Sequence, residues 1–300
     1  MNEGHAYPSP QAFRQALTDK LREAAKDSQW TLSQLQRQLA YDRLLERLYL
    51  LDDGWVVKGA TALLARGIGV RGTIDVDIYR GRAREEAEAE LREAVSRDIG
   101  DWFTFELGPG RAVATDAAVR IPVTAHVGTA SWAAFHVDLV GSDLRMTGEP
   151  ESVPPLARVL MPGIEQHGYR AYPLVDHIAD KISAMVQRYG DQERPSTRFK
   201  DLVDLVAIIT EVSVTADVQM VALASEARRR GTGMPAGFDV PDRALWERGY
   251  AAEAGRSLLL IAPTLTEALA VVRPFVDPLL AGAAAGRWDP KLGRWTAELL

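Results

Sequence analysis

The chain has 300 residues, 47% of them hydrophobic and 25% charged, a balance that suits an ordinary soluble globular protein of one large or two smaller domains and excludes disorder and collagen-like repetition. It contains no cysteine, which excludes disulfides, thiolate metal sites and cysteine nucleophiles. Its 41 acidic against 35 basic residues argue against a protein coated in nucleic acid, yet a local basic groove is compatible with a net charge of −6. The longest apolar stretch, residues 258–272, is interrupted by Pro263, Thr264, Thr266 and Glu267, and the first twenty residues carry Glu3, Arg14, Asp19 and Lys20 in place of a secretory apolar core. These features predict a cytoplasmic protein without a membrane span.

In chain order, Ser9 and Pro10 open a helix in which Phe13, Leu17 and Leu21 recur every fourth residue. A second helix over residues 31–51 places Leu32, Leu35, Leu39 and Leu48 near one face and ends at Asp53-Gly54. The period then changes to that of strands, at residues 55–57, 73–79, 102–107, 119–127 and 135–140. A charged helix over residues 83–98 lies between the second and third of these, with Ala87, Leu91 and Val95 as a thin apolar stripe. Helices followed by a small mixed sheet predict an α/β (α+β) lobe over residues 1–150. Pro150, Pro154, Pro155 and Pro162 mark a connection, and the pattern of residues 174–189, 197–210, 215–230 and 265–280 predicts a mainly helical lobe over residues 151–300.

Asp75 and Asp77 are two apart on a predicted strand, so both carboxylates project from one face. Their mutual repulsion is relieved by a cation, and a divalent metal is the natural partner. The pair alone also fits the solvated face of an edge strand. Upstream, WVVKGATALLARG runs from a strand through a Gly59-Ala60-Thr61 turn into a short helix, where backbone N–H groups, the Thr61 hydroxyl and the Lys58 ammonium can meet phosphate oxygens. The segment is not a P-loop, because G-x-x-x-x-G-K-[ST] is missing. Asp138, on another strand among apolar neighbours, completes a set of three carboxylates suited to Mg²⁺ and to metal-assisted nucleotidyl or phosphoryl transfer. His126 and His136 sit on strands and could flank the site without forming a zinc set; His177 reads as a helical surface residue. Arg228, Arg229 and Arg230 suit a helix C-terminus, and Trp288 and Trp295 read as packing the tail onto the helices.

Residues 57–79 resemble the nucleotidyltransferase signature in which a Gly-Ser or Gly-Thr pair precedes Asp-x-Asp; here thirteen residues separate Thr61 from Asp75. More narrowly, VKGATAL, the helix LQRQLAYDRLLERL before it and DKISAMVQRYGDQERPSTRFKDLVDL after it resemble the AbiEii or MenT-type toxins of bacterial toxin-antitoxin systems, over residues 10–210. Where that family usually has Lys-Gly-Gly-Ser/Thr, this chain reads Lys58-Gly59-Ala60-Thr61. The resemblance implies that Lys181 contacts nucleotide phosphates, that Asp204 belongs to the active cleft and that Arg198 holds phosphate or a nucleic-acid end. On residue spacing alone, Arg198 with Asp201 and Lys200 with Asp204 could instead be helical ion pairs. The resemblance further implies an NTP substrate, a pyrimidine nucleotide and CTP first, whose NMP is added to the 3′ end of tRNA so that aminoacylation and growth stop. A cognate antitoxin partner is implied as well. The alternatives are a small-molecule or protein nucleotidyl- or phosphotransferase of the same fold, and a non-catalytic nucleotide- or antitoxin-binding module.

Overall fold

The structure, a computed structural model, describes residues 6–69, 72–113, 118–141, 146–231, 233, 235–257 and 261–297. Residues 70–71 of the signature segment and 258–260 of the apolar stretch therefore lie outside the described residues. The chain divides into two compact units: Met1–Arg66 with Gly72–Leu144 and Glu151–Ala171, and Gly67–Arg71 with Arg145–Pro150 and Tyr172–Leu300.

The first unit opens with α1 (Pro10–Lys26), capped by the Ser9 hydroxyl, which accepts from the Ala12 amide. In α2 (Leu32–Tyr49) a capping box joins Thr31 and Gln34. The sequence predicts one apolar face for this helix, but every residue from Gln38 to Leu48 is buried, including Asp42, Arg43, Glu46 and Arg47. Such burial is tolerable only because each charge is partnered. Arg43 and Arg47 meet Asp101, Asp42 accepts from the Leu156 and Ala157 amides and the Tyr169 hydroxyl, and Glu46 pairs with His167.

The remaining elements of this unit are β1 (Trp55–Lys58), α3 (Gly59–Ala65), β2 (Asp75–Arg80), α4 (Arg84–Val95), β3 (Phe103–Leu107), β4 (Arg111–Ala112), β5 (Ala118–Val127), β6 (Ala130–Val140), β7 (Glu151–Val153) and β8 (Tyr169–Ala171). They form one mixed sheet in the order β3-β5-β6-β2-β1-β8-β7, with β4 also on β5. Pairing is parallel for β2 with β6 and for β1 with β8, and antiparallel elsewhere. Alternation along the strands sorts the two faces. Val76, Ile78, Ile121, Val123, Val137 and Leu139 join the buried core together with Phe13, Leu17, Leu39, Leu44 and Leu91 of the helices. The opposite face carries the residues between them. The proline-rich stretch expected to connect two lobes instead supplies β7 and β8, so residues 151–171 belong to the first unit.

The second unit holds α5 (Leu174–Val186), β9 (Arg188–Tyr189), β10 (Arg194–Pro195), α6 (Phe199–Glu211), α7 (Ala216–Arg230), α8 (Arg243–Ala254), α9 (Leu265–Leu280), β11 (Arg287–Asp289) and β12 (Arg294–Thr296). The sequence reading did not contain α8, although Asp242 caps it and Trp246, Tyr250 and Ala254 line its buried stripe. Phe275 contacts both Trp288 and Trp295, which fixes the β11–β12 ribbon against α9. Among the described residues no helix is long and apolar enough to cross a membrane.

Candidate active site

The core-averse face of the first sheet gathers the charges. Pairing registers Arg111 with Arg120, Arg120 with Asp138, Asp138 with Asp77 and Asp77 with Lys58. A transverse row of five charged residues thus crosses β4, β5, β6, β2 and β1, with two acids in the middle and cations at both ends. Asp75 lies two residues before Asp77 on the same face and is registered with His136. Its Oδ1 is buried without a hydrogen-bond partner, 3.4 Å from His136 Nδ1, which is equally unpartnered.

β1 ends at this row because the chain turns sharply there. Gly59 has φ +60°, and a Cβ on it would lie 1.8 Å from Asp77 Oδ2. Only glycine allows this approach. The positive φ falls on Gly59 and not on Ala60, which sits buried in the first turn of α3, so the methyl by which this chain departs from the family pattern is accommodated. Gly59→Ala is expected to displace the Asp77 carboxylate and to cost about 1–2 kcal/mol of stability through the left-handed backbone alone. Nucleotide-transfer assays should show a loss much larger than thermal unfolding does.

Several expected roles are changed by the geometry. The Thr61 hydroxyl is buried and donates to the Asp75 carbonyl at 3.3 Å, so it fixes β2 against α3 instead of facing a phosphate. Asp138 does not stand ready as a third metal ligand: Arg120 Nε and Nη2 donate to its two oxygens at 2.8 and 2.6 Å. Arg120 Nη2 is also 3.8 Å from Asp75 Oδ2. The hydrogen bonds to Asp138 raise the Arg120 guanidinium pKa above its ordinary value against the effect of burial, and the charges of Asp75 and Asp77 add to that. Among the described residues no group of three or more His, Asp or Glu side chains is arranged to hold a metal ion. Asp75 and Asp77 fit a divalent cation, with one oxygen orphaned and both carboxylates on one face; Asp138 fits only once Arg120 leaves it. Sequence reading missed Arg120. Its signal was the lone charge in the run VRIPVTA.

In the second unit, Lys181 is buried and its Nζ donates to Asp204 at 2.7 Å and Asp201 at 3.1 Å. Burial disfavours the ammonium, but the two carboxylates outweigh it and raise its pKa. Arg198 completes the cluster with a 2.7 Å bond to Asp201, one of the two expected helical pairs, whereas Asp204 pairs with Lys181 and not with Lys200. The cluster ties α5 to α6. Lys181→Ala is expected to cost about 3 kcal/mol of second-unit stability, at the lower end of the cost of breaking a buried ion cluster, because Asp204 is left buried and uncompensated while Asp201 keeps Arg198. Chemical denaturation of the variant measures it. His177 is buried against Tyr172 and not on the helix surface, and Arg229 and Arg230 are engaged by Glu226.

This sheet, with a paired-carboxylate strand beside a Lys-Gly turn, has the fold of nucleotidyltransferase toxins. The structure is similar to MenT4, a nucleotidyltransferase toxin from Mycobacterium tuberculosis H37Rv, at 15% identity and a TM-score of 0.50, covering 89% of this chain and 98% of that one. JHP933 from Helicobacter pylori matches at 18% identity and a TM-score of 0.46 over 82% of this chain and 92% of its own. The description "Nucleotidyl transferase AbiEii toxin, Type IV TA system" matches residues 43–273, and the chain belongs to that family. No curated protein sequence matches it.

Proposed function

We propose that this toxin transfers an NMP from an NTP to the 3′ end of tRNA, with a pyrimidine nucleotide and CTP first among the donors, and thereby blocks aminoacylation and arrests growth in the cytoplasm. The observation that carries the chemistry is the juxtaposition of Asp75 and Asp77 with Lys58 across β1 and β2, with Gly59 held against Asp77. Asp75 and Asp77 would hold Mg²⁺, which when bound supplies charge neutralisation at the phosphates and an activated 3′-hydroxyl. Lys58, registered with Asp77, would stand as a point charge for the leaving pyrophosphate, and the Gly59 backbone, free of a Cβ, would lie close to it. A single-stranded acceptor end suits such a face, since it needs no duplex melting and meets arginines despite the net negative charge. A cognate antitoxin protein is the expected partner, in keeping with the toxin-antitoxin family.

Incubation of the purified protein with labelled NTPs and total tRNA tests this, together with sequencing of RNA 3′ ends after induced expression. Label on tRNA ends, from CTP most strongly, is the expected result. Label confined to small molecules or to a protein would assign a different acceptor, and no label with any pool would reject the enzyme reading.

A further inference from the structure

The transverse row contains a feature that nucleotide transfer by Asp75 and Asp77 does not require. Arg111 and Arg120 are direct neighbours across β4 and β5. Like charges placed directly opposite destabilise a sheet unless something of the other sign meets them. Arg120 meets Asp138 with both ends of its fork, a bidentate geometry set by register and not by a chance rotamer, because the two residues are cross-strand partners. Yet the Arg120 side chain is 44% exposed, against 13% for Asp138. Arg120 also lines an open cavity of about 260 Å³ shared with Arg111, His136 and Pro122. A cation thus sits on a carboxylate beside a cavity that has a second cation and, among the described residues that line it, no acid.

We propose that Arg120 is an internal counter-ion that occupies Asp138 in the nucleotide-free protein and exchanges it for the phosphates of an incoming NTP in the adjoining cavity. Asp138 is released to the metal only when nucleotide is present. Arg120 is then a positioning residue, and divalent metal and nucleotide bind cooperatively. The inference rests on the reading of Asp75 and Asp77 as the metal's carboxylates and adds the order in which their site is completed. The exchange is between like partners: guanidinium trades one bidentate oxyanion for another, and Asp138 trades one cation for another, so neither is left unpaired in the half-buried face. By linkage, whatever factor NTP contributes to metal affinity, metal contributes to NTP affinity.

Mn²⁺ binding, followed by the loss of the free-ion spin-resonance signal, tests it without turnover. The wild-type protein is expected to bind Mn²⁺ weakly alone and about tenfold or more tightly with a non-hydrolysable NTP analogue, after subtraction of the Mn²⁺ that the analogue holds without protein, within the usual range of coupling between sites. Arg120→Gln is expected to bind Mn²⁺ alone more tightly than wild type and to lose most of the enhancement by nucleotide. Arg120→Lys, which keeps a charge but not the fork, should fall between them. Mn²⁺ affinity of Arg120→Gln in the absence of nucleotide that equals or falls below that of wild type overturns the proposal, provided far-ultraviolet dichroism shows a native fold; Arg120→Lys decides in the same way if the Gln variant fails to fold. Asp75→Asn separates the two levels. If it abolishes Mn²⁺ binding while Arg120→Gln changes nothing, only the counter-ion role fails; if it leaves Mn²⁺ binding intact, the metal reading of this face fails and the counter-ion role with it.

Discussion

Asp75→Ala combined with Asp77→Ala is expected to lower nucleotide transfer by about three orders of magnitude or more, with thermal stability unchanged or raised. The size follows from the chemistry: metal-assisted charge stabilisation contributes several kcal/mol to the transition state, and each 1.36 kcal/mol is a factor of ten. The sign of the stability effect follows from the row of charges. Asp75 is partly exposed and has an oxygen without a hydrogen-bond partner, so its removal relieves repulsion with Asp77 and Asp138, and no fully buried cation loses its counter-charge, since Arg120 keeps Asp138 and Lys58, registered with Asp77, is half-buried. Transfer to tRNA is measured with labelled NTP and unfolding by calorimetry. Toxicity on induced expression should disappear in parallel. Toxicity that survives alongside a lost transfer activity would favour a binding module over an enzyme.

The parts of this site that could be read from the chain are those in which one segment carries the whole signal. The run from β1 through α3 to β2 announces itself by a strand, a glycine turn, a short helix and two aspartates in alternation, and all of these stand where the spacing places them. Arg120 and Asp138 show the limit of that kind of reading. They are eighteen positions apart and become partners only through the β5–β6 register, which is shifted by an irregularity at Ala125 and His126. No local pattern encodes that alignment. The strands β7 and β8 escaped for another reason: three residues in a proline-rich stretch carry too few alternations to register as strand, and β8 exists because β1 leaves an open parallel edge beside Val57. In α2 the leucine spacing marks one buried face and carries no sign that the other faces are buried too. Arginine, aspartate and glutamate on a helix suggest a solvated face, whereas here they are enclosed and paired with groups from far along the chain.

That enclosure makes Asp101→Ala the most damaging single change expected for the stability of the first unit, at about 3–5 kcal/mol, the usual cost of removing one partner from a buried ion cluster. Asp101 is completely buried and accepts from Arg43 Nε at 2.7 Å, from Arg47 Nη1 and Nη2 at 3.0 and 2.7 Å, and from the Phe103 amide at 3.0 Å. Without it two buried guanidiniums on α2 face each other. The turn that leads into β3 also loses the hydrogen bond from the Phe103 amide, directly after Trp102, whose backbone stands in the left-handed region at φ 58°. Burial opposes ionisation of Asp101, but the hydrogen bonds and charge of Arg47 and Arg43 outweigh it and keep the carboxyl below its ordinary value of 3.8. A carboxyl depressed in the folded state binds fewer protons there than in the unfolded chain, so its contribution is complete above that value and is lost on acidification through the lower, folded one. Urea denaturation as a function of pH should therefore show the wild-type first unit losing stability below about pH 4, and the same acid-dependent decrement absent from Asp101→Asn, which is destabilised at neutral pH but carries no proton-linked charge at this position.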